Sequence, residues 1–159
     1  MEHLTYTIDE VSFKGYYIPD IYNRVRRAIN EWQKILGEYV TFYEFEEPTH
    51  NADITIRLGK VENRLNVAEC KDLGNEWIIT FAKDLEWDLG KTKFTNWLRK
   101  ALGLGERFDR CILHEIGHVF DFPHSQDEDD VMHHNTKVNT ISLYEAQHLK
   151  LFYKEHNGA

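Results

Sequence analysis

The segment HEIGHVFDFPH, residues 114–124, constrains this chain more than any other stretch. Proline at 123 cannot continue a helix and pushes Phe122 toward extended geometry, so a helix is expected from about Phe108 to Phe120. On it His114 and His118 stand four residues apart and share a face, about 5–6 Å apart at Cβ, close enough for both imidazoles to meet one ion. The stop before Pro123 lets the chain turn back and bring His124 up as a third donor. Three neutral imidazoles around a fourth, open position is the arrangement of a catalytic zinc. Glu115, next to the first ligand, reaches the water held in that position and takes its proton. A helical histidine is ordinarily a surface or satisfied core residue, and HExxH alone arises by chance. The third histidine and the helix stop together carry the assignment.

The rest of the chain supplies a frame for that helix. LTYTI alternates Leu4, Tyr6 and Ile8 against Thr5 and Thr7, the pattern of a half-buried strand. From Asp20 onward Ile21, Val25, Ala28, Ile29, Trp32, Ile35 and Leu36 recur at helical spacing, with Pro19 and Gly37 as start and stop signals. VTFYEF, ADITIRL, LNVAECK and NEWIITFA read as four more strands, the last two separated by turn-forming Asp72, Gly74 and Asn75. Strand, helix, then strands predicts an α/β sheet with a crossover. Phe94, Trp97, Leu98, Ala101 and Leu102 fit a short helix closed by the breaker GLG, with no functional meaning attached. A last helix starts near Ser142, where SLYE has the form of a capping box, and carries Leu149, Phe152 and Tyr153 on one face.

A length of 159 residues predicts one domain over 1–159. The 19 basic and 27 acidic residues give a net charge of −8, the wrong sign for nucleic acid and for an anionic membrane. No apolar run approaches the ~20 residues of a spanning helix, and MEHLTYTIDE lacks the apolar centre of a signal peptide, so the chain itself leaves its compartment open. Cys70 and Cys111 are too few for a disulfide scaffold; nothing in the sequence says whether they pair, and buried free thiols are the simpler reading.

HEIGHVFDFPH matches, at every position but one, the HExxHxxGxxH motif of the metzincin zinc peptidases, and DVMHHN places Met132 eight residues after the third histidine, where they have a Met-turn. With Ser125 after that histidine, the chain most resembles the matrixins, or matrix metalloproteinase catalytic domains. LTYTI, ADITIRL and IITFAKDLEW look like their first, third and fifth strands, and TISLYEAQHLKLFY like their last helix. The resemblance implies the metzincin fold, α/β or α+β in some schemes: a five-stranded twisted mixed sheet, a long N-terminal helix, a zinc-site helix flooring the cleft and a C-terminal helix. It implies an endopeptidase in which water activated by Glu115 at the zinc attacks a peptide carbonyl. His114, His118 and His124 are the implied ligands, Glu115 the general base and acid, and Met132 the hydrophobic floor. Val67 and Ala68 fall on the edge strand that pairs with peptide substrate, unless that edge has no binding role. A monomer acting on peptide or protein is expected, extracellular on the resemblance alone.

The departures are as informative. Asp121 stands where the family has Gly, at a turn toward the third ligand that calls for left-handed backbone, which Asp tolerates better than most residues. The long loop holding structural zinc and calcium in vertebrate matrixins is missing, and Ala82 and Leu85 occupy the places of acidic calcium ligands, so one catalytic zinc and no family-type structural metal is expected. The inhibitory cysteine propeptide is also absent, which implies a mature domain or another form of control. His134 sits where some metzincins have a tyrosine near zinc, against the simpler reading of an exposed histidine; the short segment from His133 to Asn139 is expected to wall the primed side. A zinc-containing peptide-binding or regulatory module of the same fold is the alternative, and a retained Glu115 argues against it.

Overall fold

The protein is described by a computed structural model over residues 1–45, 51–103 and 106–157. Strand β1 (Glu2–Ile8) buries Leu4, Tyr6 and Ile8. Helix α1 (Ile18–Leu36) carries the chain back across the sheet to β2 (Val40–Glu44), which pairs parallel to β1 with Glu2 opposite Val40. A parallel pair cannot be closed by a hairpin, and the 19-residue helix is the crossover. Strand β3 (Ile54–Gly59) pairs parallel on the other side of β1, β5 (Trp77–Ala82) parallel to β3, and β4 (Ala68–Asp72) antiparallel to β5. The order β2-β1-β3-β5-β4 makes this the expected mixed five-stranded sheet, with β4 on an open edge. That strand begins later than its sequence suggests, because Asn66 N–H on the Asn63 carbonyl closes a turn over 63–66 and Val67 is a bend just ahead of Ala68.

Three more helices follow: α2 (Lys93–Ala101), α3 (Arg107–Val119) and α4 (Leu143–His156). Leu104 and Gly105 of the expected breaker lie outside the described residues. Helix α1 is bound to α3 through Trp32, fully buried, whose Nε1–H donates to the Leu113 carbonyl (2.9 Å) while its ring stacks on Phe122 at 5.6 Å. Burial of each such side chain contributes about 1.5–3 kcal/mol, and Arg24 of α1 adds an ion pair to Asp109 of α3 at 3.4 Å. The first turn of α3 is capped from a distance. Asp88 accepts from Arg107 N–H (2.7 Å) and Phe108 N–H (3.0 Å), two donors that the helix leaves unpaired.

At α4 the expected capping box is only half formed. Ser142 Oγ accepts from Glu145 N–H (3.0 Å), but the Glu145 carboxylate does not return to Ser142. It is 2% exposed and turned into the molecule, accepting from Val131 N–H (2.8 Å) and Met132 N–H (3.0 Å). Two buried backbone donors outbid one solvent-facing cap, because a buried N–H without an acceptor costs more than an exposed one.

Candidate metal centre

The site is built around the way α3 ends. Asp121 N–H donates to the His118 carbonyl (3.1 Å) and Phe122 N–H to the Gly117 carbonyl (3.4 Å), the paired bonds of a Schellman motif. Its left-handed position is Asp121, at φ 60°, the one non-glycine with positive φ among the described residues. The departure from glycine therefore leaves the turn intact. Pro123 follows, and the chain returns with His124 facing the helix.

Ring nitrogens of His114, His118 and His124 all lie within 4.8 Å of one another. His114 Nδ1 is 2.7 Å from the Val131 carbonyl and His118 Nδ1 is 3.0 Å from the Phe122 carbonyl. A carbonyl only accepts, so both rings carry their proton on Nδ1 and both Nε2 atoms present bare lone pairs. Those two atoms face each other at 3.1 Å. No hydrogen bond joins two acceptors; a cation between them turns repulsion into ligation, and nitrogens bound at ~2.0–2.1 Å in a tetrahedron lie about 3.4 Å apart. Burial holds His114 down to about 4 and lowers His118 and His124 as well, so the rings are neutral, as ligands must be. The donor set thus fits zinc by chemistry and spacing.

Beneath the rings, Met132 is 1% exposed and Gly117 makes room for it: a Cβ on Gly117 would stand 2.3 Å from Met132 Sδ and 3.0 Å from Trp32 Cζ2. The peptide group joining Val131 to Met132 is held from both ends. Its carbonyl accepts from His114 Nδ1–H and its N–H donates to Glu145. Ser125 N–H donates to the Met132 carbonyl (2.8 Å) and Ser125 Oγ to Asp130 (2.6 Å), which ties the residue after the third histidine to the same turn.

Glu115 is 7% exposed; burial, with Glu69 second, pushes its carboxyl up to about 8. It lines a cleft of about 570 Å³ with the three histidines, Ala68 and Asp121. Along β4 the Val67 carbonyl is consumed by Ala82 N–H (2.8 Å), and strand alternation then turns the backbone groups of Ala68 and Cys70 to the open edge. Of the two edge residues expected to meet substrate, Ala68 points outward and Val67 inward. Cys70 and Cys111 are free, half-buried, and held near 12 by burial and the Glu115 charge, far from thiolate. His134 is exposed on the cleft wall, 6.4 Å from His124 between ring centres and apart from the triad, while His133 is buried and accepts from Asn135 N–H.

A family model for the matrixins matches residues 1–149. The chain belongs to the matrixin family. No curated protein matches it in sequence. Matrixin membership carries the class of metallopeptidase and accords with the mixed sheet and its helices. Within this matrixin, sequence reasoning passed over Gly117, although a glycine inside an apolar helix costs about 1 kcal/mol and so signals a close approach. It also passed over Asp88 and saw Glu145 only as part of a cap, because their partners are backbone N–H groups far away in the chain. The Phe122 and Val131 carbonyls carry no side-chain signal at all.

Proposed function

We propose that this matrixin is a zinc endopeptidase holding one ion per chain through His114, His118 and His124. The observation that carries the reading is the pair of inward-facing Nε2 lone pairs with a buried carboxyl, Glu115, on the adjacent residue. Zinc, when bound, acidifies a water and polarises the carbonyl to be attacked. The chain's own residues do the rest. The open edge of β4 offers the backbone groups of Ala68 and Cys70 to an extended peptide, which adds to the sheet as a further strand. Glu115 accepts the proton of the attacking water on a carboxylate oxygen and returns it to the leaving nitrogen. Burial raises this carboxyl's affinity for a proton, which suits it to hold the proton between the two transfers. The Val131 and Phe122 carbonyls keep the Nδ1 protons in place and so the Nε2 lone pairs inward.

The test measures metal content and cleavage of a diverse peptide library together. One zinc per chain with internal cleavage is expected, and Glu115→Gln should lose at least ~100-fold in hydrolysis with its zinc retained. A wild-type protein that cleaves nothing at full zinc occupancy would transfer the site to a peptide-binding module.

A further inference from the structure

Helix α2 is mounted inside out. Phe94, Trp97, Leu98 and Ala101 follow the i, i+3, i+4, i+7 spacing of one apolar face, yet all four are exposed, Phe94 at 67% and Trp97 at 62%. The one buried residue of the helix is Asn96, on the opposite side. With its amide nitrogen turned to Asp20, Asn96 donates to both carboxylate oxygens (2.7 and 3.0 Å), and Gly90 N–H donates to the same fully buried group at 3.2 Å. A Cβ on Gly90 would stand 2.5 Å from Asn96 Cβ, so the helix is seated as closely as glycine permits. Thr92 and Thr95 close a reciprocal cap at its start. The apolar face is thus held outward by a buried polar anchor and a formed cap.

The charge along that segment is also reversed, although Glu86 stands beside Lys91 and Arg99. Residues 91–103 contain Lys91, Lys93, Arg99 and Lys100, four of the chain's 19 basic residues, and none of its 27 acidic ones. Lys91 is paired with Glu86 at 3.0 Å. On the helical wheel Lys93 and Lys100 border the apolar arc on one flank and Arg99 lies beyond the other. The net charge of the whole chain, which argues against an anionic surface, does not describe this segment. We infer that α2 docks the protein onto an anionic lipid surface, with Phe94, Trp97 and Leu98 entering the headgroup boundary and the flanking cations meeting lipid phosphates. Nine residues make roughly 13 Å of helix, too little to bury the ~800 Å² per partner of a stable protein interface, whereas a bilayer surface needs no matching shape.

Sedimentation of the zinc-loaded protein with vesicles tests this, phosphatidylcholine alone against a mixture with about 30% phosphatidylglycerol. Binding is expected to the mixed vesicles only, weakened by salt as surface charge is screened. At about fivefold per cation, Lys93→Gln with Lys100→Gln should weaken it roughly 25-fold. Trp97→Ser should weaken it too, and the quenching of wild-type fluorescence by brominated lipid should be largely lost in Trp97→Ser, which separates Trp97 from half-buried Trp77, Trp32 and Trp87 being buried. An unchanged near-ultraviolet circular dichroism spectrum checks the fold of each variant. Absence of binding to mixed vesicles at low salt would overturn the inference, as would binding indifferent to these substitutions. A dimer in sedimentation velocity that Trp97→Ser abolishes would assign the face to a second copy instead.

Discussion

Met132 holds its sulfur where Gly117 would carry a side chain, with only 2.3 Å between Sδ and an ideal Cβ. The Met132 side chain therefore packs directly on the backbone of α3, one residue before His118. Gly117→Ala should destabilise the protein by about 1–3 kcal/mol through overpacking, although alanine favours helix elsewhere. Urea unfolding measures this. Adding Met132→Ala should recover part of the loss, and a Gly117→Ala protein of full stability would show that the turn yields freely.

Glu145 supports His114 through one peptide group. Replacing it with alanine strands the Val131 and Met132 N–H groups, at about 1–3 kcal/mol for each buried donor left unpaired. Zinc affinity, read by chelator competition, should fall about 10- to 100-fold, the usual effect of losing support behind a ligand. Glu145→Gln keeps one acceptor and should lie between.

Asp121 sits in left-handed backbone at φ 60°. Asp121→Gly should keep the zinc and stabilise the domain by up to ~1 kcal/mol, and Asp121→Val should destabilise it, since a β-branched residue resists this geometry. A large loss in the glycine variant would mean that the carboxylate itself holds the turn.

Away from the metal centre, the partly buried Glu44 contributes to the acid side of the stability profile. Arg26 grips Glu44 with two bonds of 2.8 Å, and with Tyr6 it holds the Glu44 carboxyl below the usual range. A carboxyl lowered in the folded state contributes stability above its unfolded pKa of about 4.3, and that contribution is lost as pH falls through the folded value. Arg26→Gln should thus lower the urea midpoint near neutral pH, and the gap to wild type should close toward about pH 3. Half-exposed Arg26 keeps the effect small. A gap constant with pH would trace the loss to packing.

What the sequence made legible follows from periodicity and punctuation. His114 and His118 share a face because helical spacing says so, Pro123 ends their helix, and the family's glycine at position 121 foretold the left-handed turn that Asp121 adopts. Glu145 was misread because the Ser142–Glu145 spacing suits a reciprocal cap, and only the fold brings Val131 and Met132 within its reach. For α2 the apolar stripe was visible, but a stripe does not say which way it faces; the buried Asn96–Asp20 contact decides that, across 76 residues. Val67 and Ala68 are adjacent where the edge strand begins, and only the bond from Ala82 shows which of them spends its backbone groups inward.

Because the Val131–Met132 peptide lies between His114 and Glu145, the histidine cluster draws on a helix that is translated after it. A chain emerging from the ribosome presents all three histidines well before residues 143–156 exist, yet the turn behind His114 lacks its carboxylate until α4 docks. Firm metal retention is thus expected to need residues 143–156, so that a product truncated before Ser142 would carry the whole HEIGHVFDFPH segment and hold an ion poorly.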